Sequence, residues 1–197
     1  GIDEVAELPS ASFALLGLGE MGIANSAVAA LLVCALGGLT PEEAVGPGTG
    51  VHGDVLKHKV EVVKAVLAKH QPDAADPLGV LATVGGAEFG AMAGAMLAGA
   101  ARGWAILVDG YIAGAAALVA IALDPKVKNF LVWSHRSAEP GARRLLEKLA
   151  IEPVLDLNLR LGEGSGAALA VPILRSACAV MREMATFSGA GVSTAEQ

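Results

Sequence analysis

The chain has 197 residues, 54% of them hydrophobic but only 4% aromatic, with 25 glycines and a formal net charge of −6. That length suffices for one good core with a small appendage. An acidic balance without a Lys/Arg cluster argues against a nucleic-acid partner. With so few aromatics, alanine and glycine supply much of the packing, which implies helices lying close to one another and to a sheet.

Residues 12–19, "SFALLGLG", read as a buried strand ending in glycines, followed by a helix over 24–38. "TPEEAVG" has a threonine cap, a proline in the first turn and a glutamate at the third position, a clear helix start. A glycine-rich loop spans 45–51, and the apolar spacing over 53–70 fits an amphipathic helix. A short helix at 77–84 and an alanine-rich one at 87–101 lead to a second strand at 104–110, "WAILVDG". A helix over 111–123, a third strand at 129–135 and a helix over 138–149 come next. A short strand then precedes "RLGEGSGAALAVPIL" (160–174), which opens the final helix over 166–187, and the tail reads as frayed. Short apolar runs alternating with longer helical ones are an α/β signature.

Two uncharged stretches test the membrane reading. Residues 21–41 carry Asn25, Ser26 and a Gly37-Gly38 pair, and residues 111–123 are bracketed by Asp109 and Asp124. A spanning helix needs about 20 predominantly apolar residues; only the first stretch is long enough, and its polar start and glycine end suit a core helix better. The start, "GIDEVAEL", lacks the charged-then-apolar pattern of a secretory signal. No membrane partner and a cytoplasmic location are therefore expected. Cys34 and Cys178, without metal-ligand spacing, read as small buried residues in a reducing compartment.

Polar or glycine-rich segments follow successive strands: "GLGEMG", "DGY", "SHRSAEPG" and "RLGEGSG". Ligands of an open parallel sheet bind at the carboxyl ends of its strands. These segments should converge, bringing together Glu20, Asp109, Ser134, His135, Ser137 and Glu163. Glu163 itself has two readings. One is an acid favoured by the positive end of the helix dipole, with Ser165 as the cap. The other is a general base in a tight, mostly apolar pocket, its pKa raised by desolvation.

"GLGEMG" matches the dinucleotide-binding spacing, but Glu20 would face the pyrophosphate and the usual ribose-binding acid about 20 residues on is missing. Lys57, Lys59 and Lys64 read mostly as solvated helix charges. One of them can reach back to a phosphate held by the glycine-rich loop. No triphosphate P-loop is present, His135 has no second histidine spaced for a metal, and Ser134, Ser137 and Ser165 lack a His/Asp relay.

"GEMGIANS", "VGPGTG" with its downstream lysine helix, "LVDGYIAGAAAL", "SHRSAEPGARRLLEKL" and "RLGEGSGAALAVPIL", in this order, resemble the nicotinate-nucleotide–dimethylbenzimidazole phosphoribosyltransferases. These enzymes make the lower nucleotide of cobalamin. The resemblance implies a doubly wound, Rossmann-like parallel sheet with flanking helices, a small helical domain and a homodimer. Residues 1–163 would be the α/β mononucleotide-binding core, and 164–197 the carboxyl-terminal helix of the small domain with its tail. It implies transfer of phosphoribose from nicotinate mononucleotide to 5,6-dimethylbenzimidazole, with inversion at the anomeric carbon and no cofactor or metal. By the same resemblance Glu163 is the general base and Glu20 serves the ribose. Lys59 and Ser137 hold the mononucleotide, and Leu161 lines the base pocket. Gly22 and Asp109 join them as substrate-binding residues.

Ala24 and Ser26 stand where the resemblance leads one to expect glycine and threonine. The match covers only the carboxyl-terminal part of the family's length. A catalytically silent mononucleotide-binding module and an NAD-dependent oxidoreductase built on "GLGEMG" are therefore the two rival readings. The final helix is also expected to leave an apolar stripe bare, to be covered by self-association or by a separate segment.

Overall fold

Three short parallel strands, β1 (Leu15–Leu18), β2 (Ala105–Val108) and β3 (Leu131–Trp133), lie side by side in that order. The structure, a computed structural model, describes residues 1–8 and 15–191. The first strand expected from the sequence is therefore seen from Leu15 on, and residues 12–14 and 192–197 lie outside the described residues. Alternation along the strands divides the sheet into two faces. Leu16, Leu18, Ile106 and Val108 point into the main core, while Leu107 and Val132 point to the opposite face. Central β2 is covered on both faces, which is why it reads as an unbroken apolar run.

Nine α-helices surround the described sheet: α1 (Ile2–Glu7), α2 (Asn25–Gly37), α3 (Pro41–Ala44), α4 (Gly53–His70), α5 (Pro77–Val84), α6 (Ala87–Ala101), α7 (Tyr111–Leu123), α8 (Pro140–Leu149) and α9 (Ser165–Glu183). Helix α7 is the hub of the main core, packed by α2 and α6. Its alanines and Gly114 permit that closeness, and a Cβ on Gly114 would stand 3.1 Å from the Trp133 ring. The Thr40–Glu43 capping box opens α3 as expected, and Asp76 caps α5. Lys148 Nζ donates to the Gly38 carbonyl at 2.6 Å, closing the end of α2.

Helices thus lie on both faces of a parallel sheet, the α/β arrangement expected. Helix α9 alone represents the second face among the described residues, with Ala167 and Ala170 buried against Leu107. From Arg175 to Gly191 every residue but Ala179 is exposed. This corrects the expectation for Cys178, which is exposed because nothing among the described residues packs on that half of α9. Cys34 is half-buried, its thiol pushed up to about 12 by burial and by Glu42 and Glu43. The short strand expected before residue 160 is reduced to a single parallel bridge, His135 with Leu155. A 3-10 turn over Pro125–Phe130, and α1 on α6, have no counterpart in the sequence reading. No described helix is long and apolar enough to cross a membrane.

Candidate active site

The four segments singled out in the sequence meet at the carboxyl ends of the strands, where Asp109 ties the end of β2 to the start of α9 and the Glu20 carbonyl ties the loop after β1 to Glu163. Buried just past β2, Asp109 accepts the backbone N–H groups of Gly164 (3.2 Å), Gly166 (2.8 Å) and Ala167 (3.1 Å). A helix start leaves such N–H groups without intrahelical partners, and here a distant strand supplies the acceptor. Ser165 is therefore not the cap: Gly164 occupies that position, and the Ser165 hydroxyl makes no hydrogen bond among the described residues.

The turn that presents Glu163 is left-handed throughout, with φ of 77°, 58° and 74° at Gly162, Glu163 and Gly164. For a residue with a side chain this conformation is sparsely populated and costly. Hydrogen bonds over-determine it: Glu163 N–H donates to the Glu20 carbonyl at 3.2 Å, and Ser165 N–H to the Gly162 carbonyl at 2.9 Å. Gly19 lies so close to the Gly164 backbone that no Cβ fits there. The loop after β1 and the loop before α9 are thereby pressed into one wall-to-wall contact.

Between them lies a cleft of about 540 Å³, lined by Gly17, Gly19, Glu20, Met21, Glu163 and the first turns of α9. Glu20 and Glu163 share it. Glu20 is half-buried, while Glu163 is exposed, as are Met21 and Leu161, which are 80% and 70% exposed. The dry pocket expected around Glu163 is not closed by this chain. Its apolar walls stand open to water.

Beyond the residues that line this cleft, Lys59 on α4 turns inward, donating to Ser26 Oγ at 3.0 Å and to the Gly46 carbonyl at 2.9 Å. Desolvation pulls its ammonium below the ordinary lysine range, with the Glu139 carboxylate opposing. Gly48, at φ 56°, approaches the same ammonium: a Cβ there would stand 2.6 Å from Ser26 Oγ and 3.4 Å from Lys59 Nζ. Lys57 and Lys64 are solvated charges paired with Asp54, Glu42 and Glu61. Ser137 is buried, and its hydroxyl accepts the Glu139 N–H at 3.3 Å. Buried His135 places Nδ1 3.3 Å from Ser134 Oγ and 3.9 Å from Asp109 Oδ1. Ser134 donates its own proton to the Val108 carbonyl at 2.7 Å. Burial keeps the imidazole below its ordinary pKa, so it serves as neutral structure.

Two residues escaped the sequence reading. Asn25 donates from Nδ2 to Glu20 Oε2 at 2.6 Å, and Gly22 leaves room for that contact. Glu139 is buried against Gly46 with Oε2 unpartnered among the described residues. Asn25 stands in the quoted "GEMGIANS", but nothing in its spacing announces its partner. Among the described residues no group of three His, Cys, Asp or Glu side chains forms a metal site.

The family described as "Phosphoribosyltransferase", DBI_PRT, matches residues 1–192. The chain belongs to this phosphoribosyltransferase family. Among its curated relatives, a protein of Azotobacter vinelandii is 51% identical over 195 residues, covering 99% of this chain and 55% of its own length. A Pseudomonas syringae relative is 49% identical over 193 residues, with 98% and 55% covered. Both are named nicotinate-nucleotide–dimethylbenzimidazole phosphoribosyltransferase. The solved structure of CobT from Thermus thermophilus superposes with a TM-score of 0.87 at 44% identity, covering 98% of this phosphoribosyltransferase chain and 56% of that one. The chain spans about half the length of the curated relatives it matches.

Proposed function

We propose that this phosphoribosyltransferase chain carries the cleft that moves the phosphoribosyl group of nicotinate mononucleotide to 5,6-dimethylbenzimidazole. The observation that carries the reading is the sharing of one cleft by Glu20 and Glu163, with Lys59 bonded to the residue next to Asn25. In this reading Lys59 and the glycine-rich loop hold the 5′-phosphate, and buried Ser137 supports that end. Leu161 and Met21 flank the aromatic acceptor.

Glu163 takes the N–H proton of the azole while its other ring nitrogen attacks the anomeric carbon from the face opposite the leaving base. The glycosidic C–N bond breaks, and its electron pair neutralises the departing pyridinium nitrogen. Positive charge grows on the ribosyl carbon at this point, and the Glu20 carboxylate stabilises it. General-base help of this kind contributes roughly 10²–10⁴ in rate.

Asp109 enters this reading as a positioning residue, since both of its carboxylate oxygens accept backbone N–H groups of the Glu163 loop and α9. The exposure of Glu163 favours a second reading for the chain alone: mononucleotide binding without efficient transfer. The dinucleotide reading fares worse, because the Glu20 carboxylate sits at the mouth of α2, where a pyrophosphate would have to lie. We further infer a cytoplasmic homodimer in which the second half of α9 belongs to a small helical domain. The exposed Met181, with Met184 and Phe187 just beyond the end of α9, supports a covered surface there.

Calorimetry of the chain with nicotinate mononucleotide, NAD and dimethylbenzimidazole, paired with an assay of nicotinate release, tests the reading. Mononucleotide binding with azole-dependent nicotinate release supports transfer, and binding without release supports the silent module. Preferential binding of NAD would overturn both.

A further inference from the structure

Asn25 opens α2 and is buried, only 8% exposed. Its side-chain nitrogen donates to Glu20 Oε2 at 2.6 Å, and a carboxylate acceptor requires that the amide present its nitrogen there. Gly22 makes the approach feasible, since a Cβ at that position would stand 2.9 Å from Glu20 Oε2 and collide with the Asn25 amide. The next residue, Ser26, accepts from Lys59 Nζ at 3.0 Å. Consecutive helical residues project about 100° apart. One turn of α2 therefore grips the cleft carboxylate with one side chain and the phosphate-end cation with the next.

We propose that Asn25 is a positioning residue for the transfer reaction, fixing Glu20 toward the cleft through a neutral donor that leaves the carboxylate charge uncancelled. The proposal rests on the reading of the cleft as a phosphoribosyl-transfer site. An ammonium or guanidinium in this place would satisfy the same oxygen but cancel the charge. The ribosyl carbon gains positive charge only as the base departs, so a carboxylate held by an amide reserves its field for that moment. The surrounding charges do not substitute for Asn25. Lys59 is engaged by Ser26 and Gly46, and Asp109 by the backbone of α9. Buried His135 lies against Ser134, and Glu163 shares the cleft with a like charge.

Asn25→Asp is the deciding variant, because it keeps the shape and exchanges the donor for a second carboxylate. Two carboxylates at such a separation hold one proton between them. Carbon-detected NMR titration of the chain's glutamate and aspartate carboxyls, with Glu20→Gln for assignment, should show a new step in Asn25→Asp at least about one pH unit above the wild-type carboxyl steps. In turnover, Asn25→Asp should lose about 10–100-fold in kcat at neutral pH, the worth of one hydrogen bond to a charged group. It should recover toward acid pH, where the shared proton restores a donor, with KM for nicotinate mononucleotide within about twofold. Asn25→Ala should show the same kcat loss without the acid recovery, and it decides the matter if Asn25→Asp fails to fold. Unchanged titration, or an unchanged kcat and pH profile, would overturn the role of Asn25. A wild-type chain without turnover would overturn the transfer reading instead, while the titration still decides whether Asn25 and Glu20 are coupled.

Discussion

Asp109 Oδ1 accepts the backbone N–H of Gly166 at 2.8 Å, tying the end of β2 to the first turn of α9 across 57 residues of chain. The same carboxylate takes the N–H groups of Gly164 and Ala167. Asp109→Ala strands two buried donors and one half-buried donor at once. We predict a loss of about 2–3 kcal/mol of stability in urea denaturation, the combined scale of a lost cap and a charge-assisted hydrogen bond. Asp109→Asn, which keeps one acceptor oxygen, should lose less. A change below about 0.5 kcal/mol in Asp109→Ala, the size of an ordinary surface substitution, would contradict this account of the Glu163 loop.

Ala24 caps α2 at φ 76°, in the left-handed region. A side chain there costs roughly 1–2 kcal/mol per residue, and glycine escapes most of that cost. Glycine is also the residue the family resemblance leads one to expect at this position. Ala24→Gly should stabilise the chain by about 1 kcal/mol and raise Tm by about 2–4 °C, read by thermal unfolding. A lower Tm would show that Ala24 is not strained.

The α/β class and seven of the nine helices were legible because their apolar periods are long enough to count, and α3 was legible because the Thr40–Glu43 box announces itself by spacing. Convergence of four loops followed from parallel topology alone. Helix α1, six residues with Val5 as its one buried side chain, offers too little period to read. The cap from Asp109 and the grip of Asn25 on Glu20 were invisible for a different reason. They depend on where a side chain ends in space, and residue spacing does not encode that. The openness of the Glu163 pocket likewise depends on what packs against Leu161 and Met21, which their apolar character cannot tell.

His135 is buried with its pKa held below 6.5 by desolvation, while Asp109 pulls the other way. Between that lowered value and 6.5 the unfolded chain binds the proton that the native chain refuses. Stability therefore rises with pH through this window and falls on acidification through it. Urea midpoints measured from pH 7.5 down to pH 5 should decline in the wild type, and this part of the decline should vanish in His135→Asn, whatever its overall stability. An equal slope in both proteins would assign the acid sensitivity to other groups.

Lys59 is held below the ordinary lysine value of 10.5 by burial. A phosphate needs the ammonium form, so mononucleotide affinity should be full below the lowered pKa and decline as pH rises through it, ahead of a solvated lysine. Lys59→Met should flatten that alkaline limb and weaken nicotinate mononucleotide by about 1.5–3 kcal/mol, leaving free dimethylbenzimidazole unaffected. Calorimetry across pH reads both. A larger effect from Lys57→Met would place the phosphate on the wrong face of α4.

The most direct test of the central claim is one substitution with two readouts, Glu163→Gln followed by nicotinate release and by mononucleotide calorimetry on the same preparation. If Glu163 accepts the azole proton, release falls by roughly 10²–10⁴ relative to the unsubstituted protein, while nicotinate mononucleotide binds with its affinity nearly unchanged. Release at the unsubstituted rate, or affinity lost in parallel with release, would contradict the assignment of Glu163 as the base.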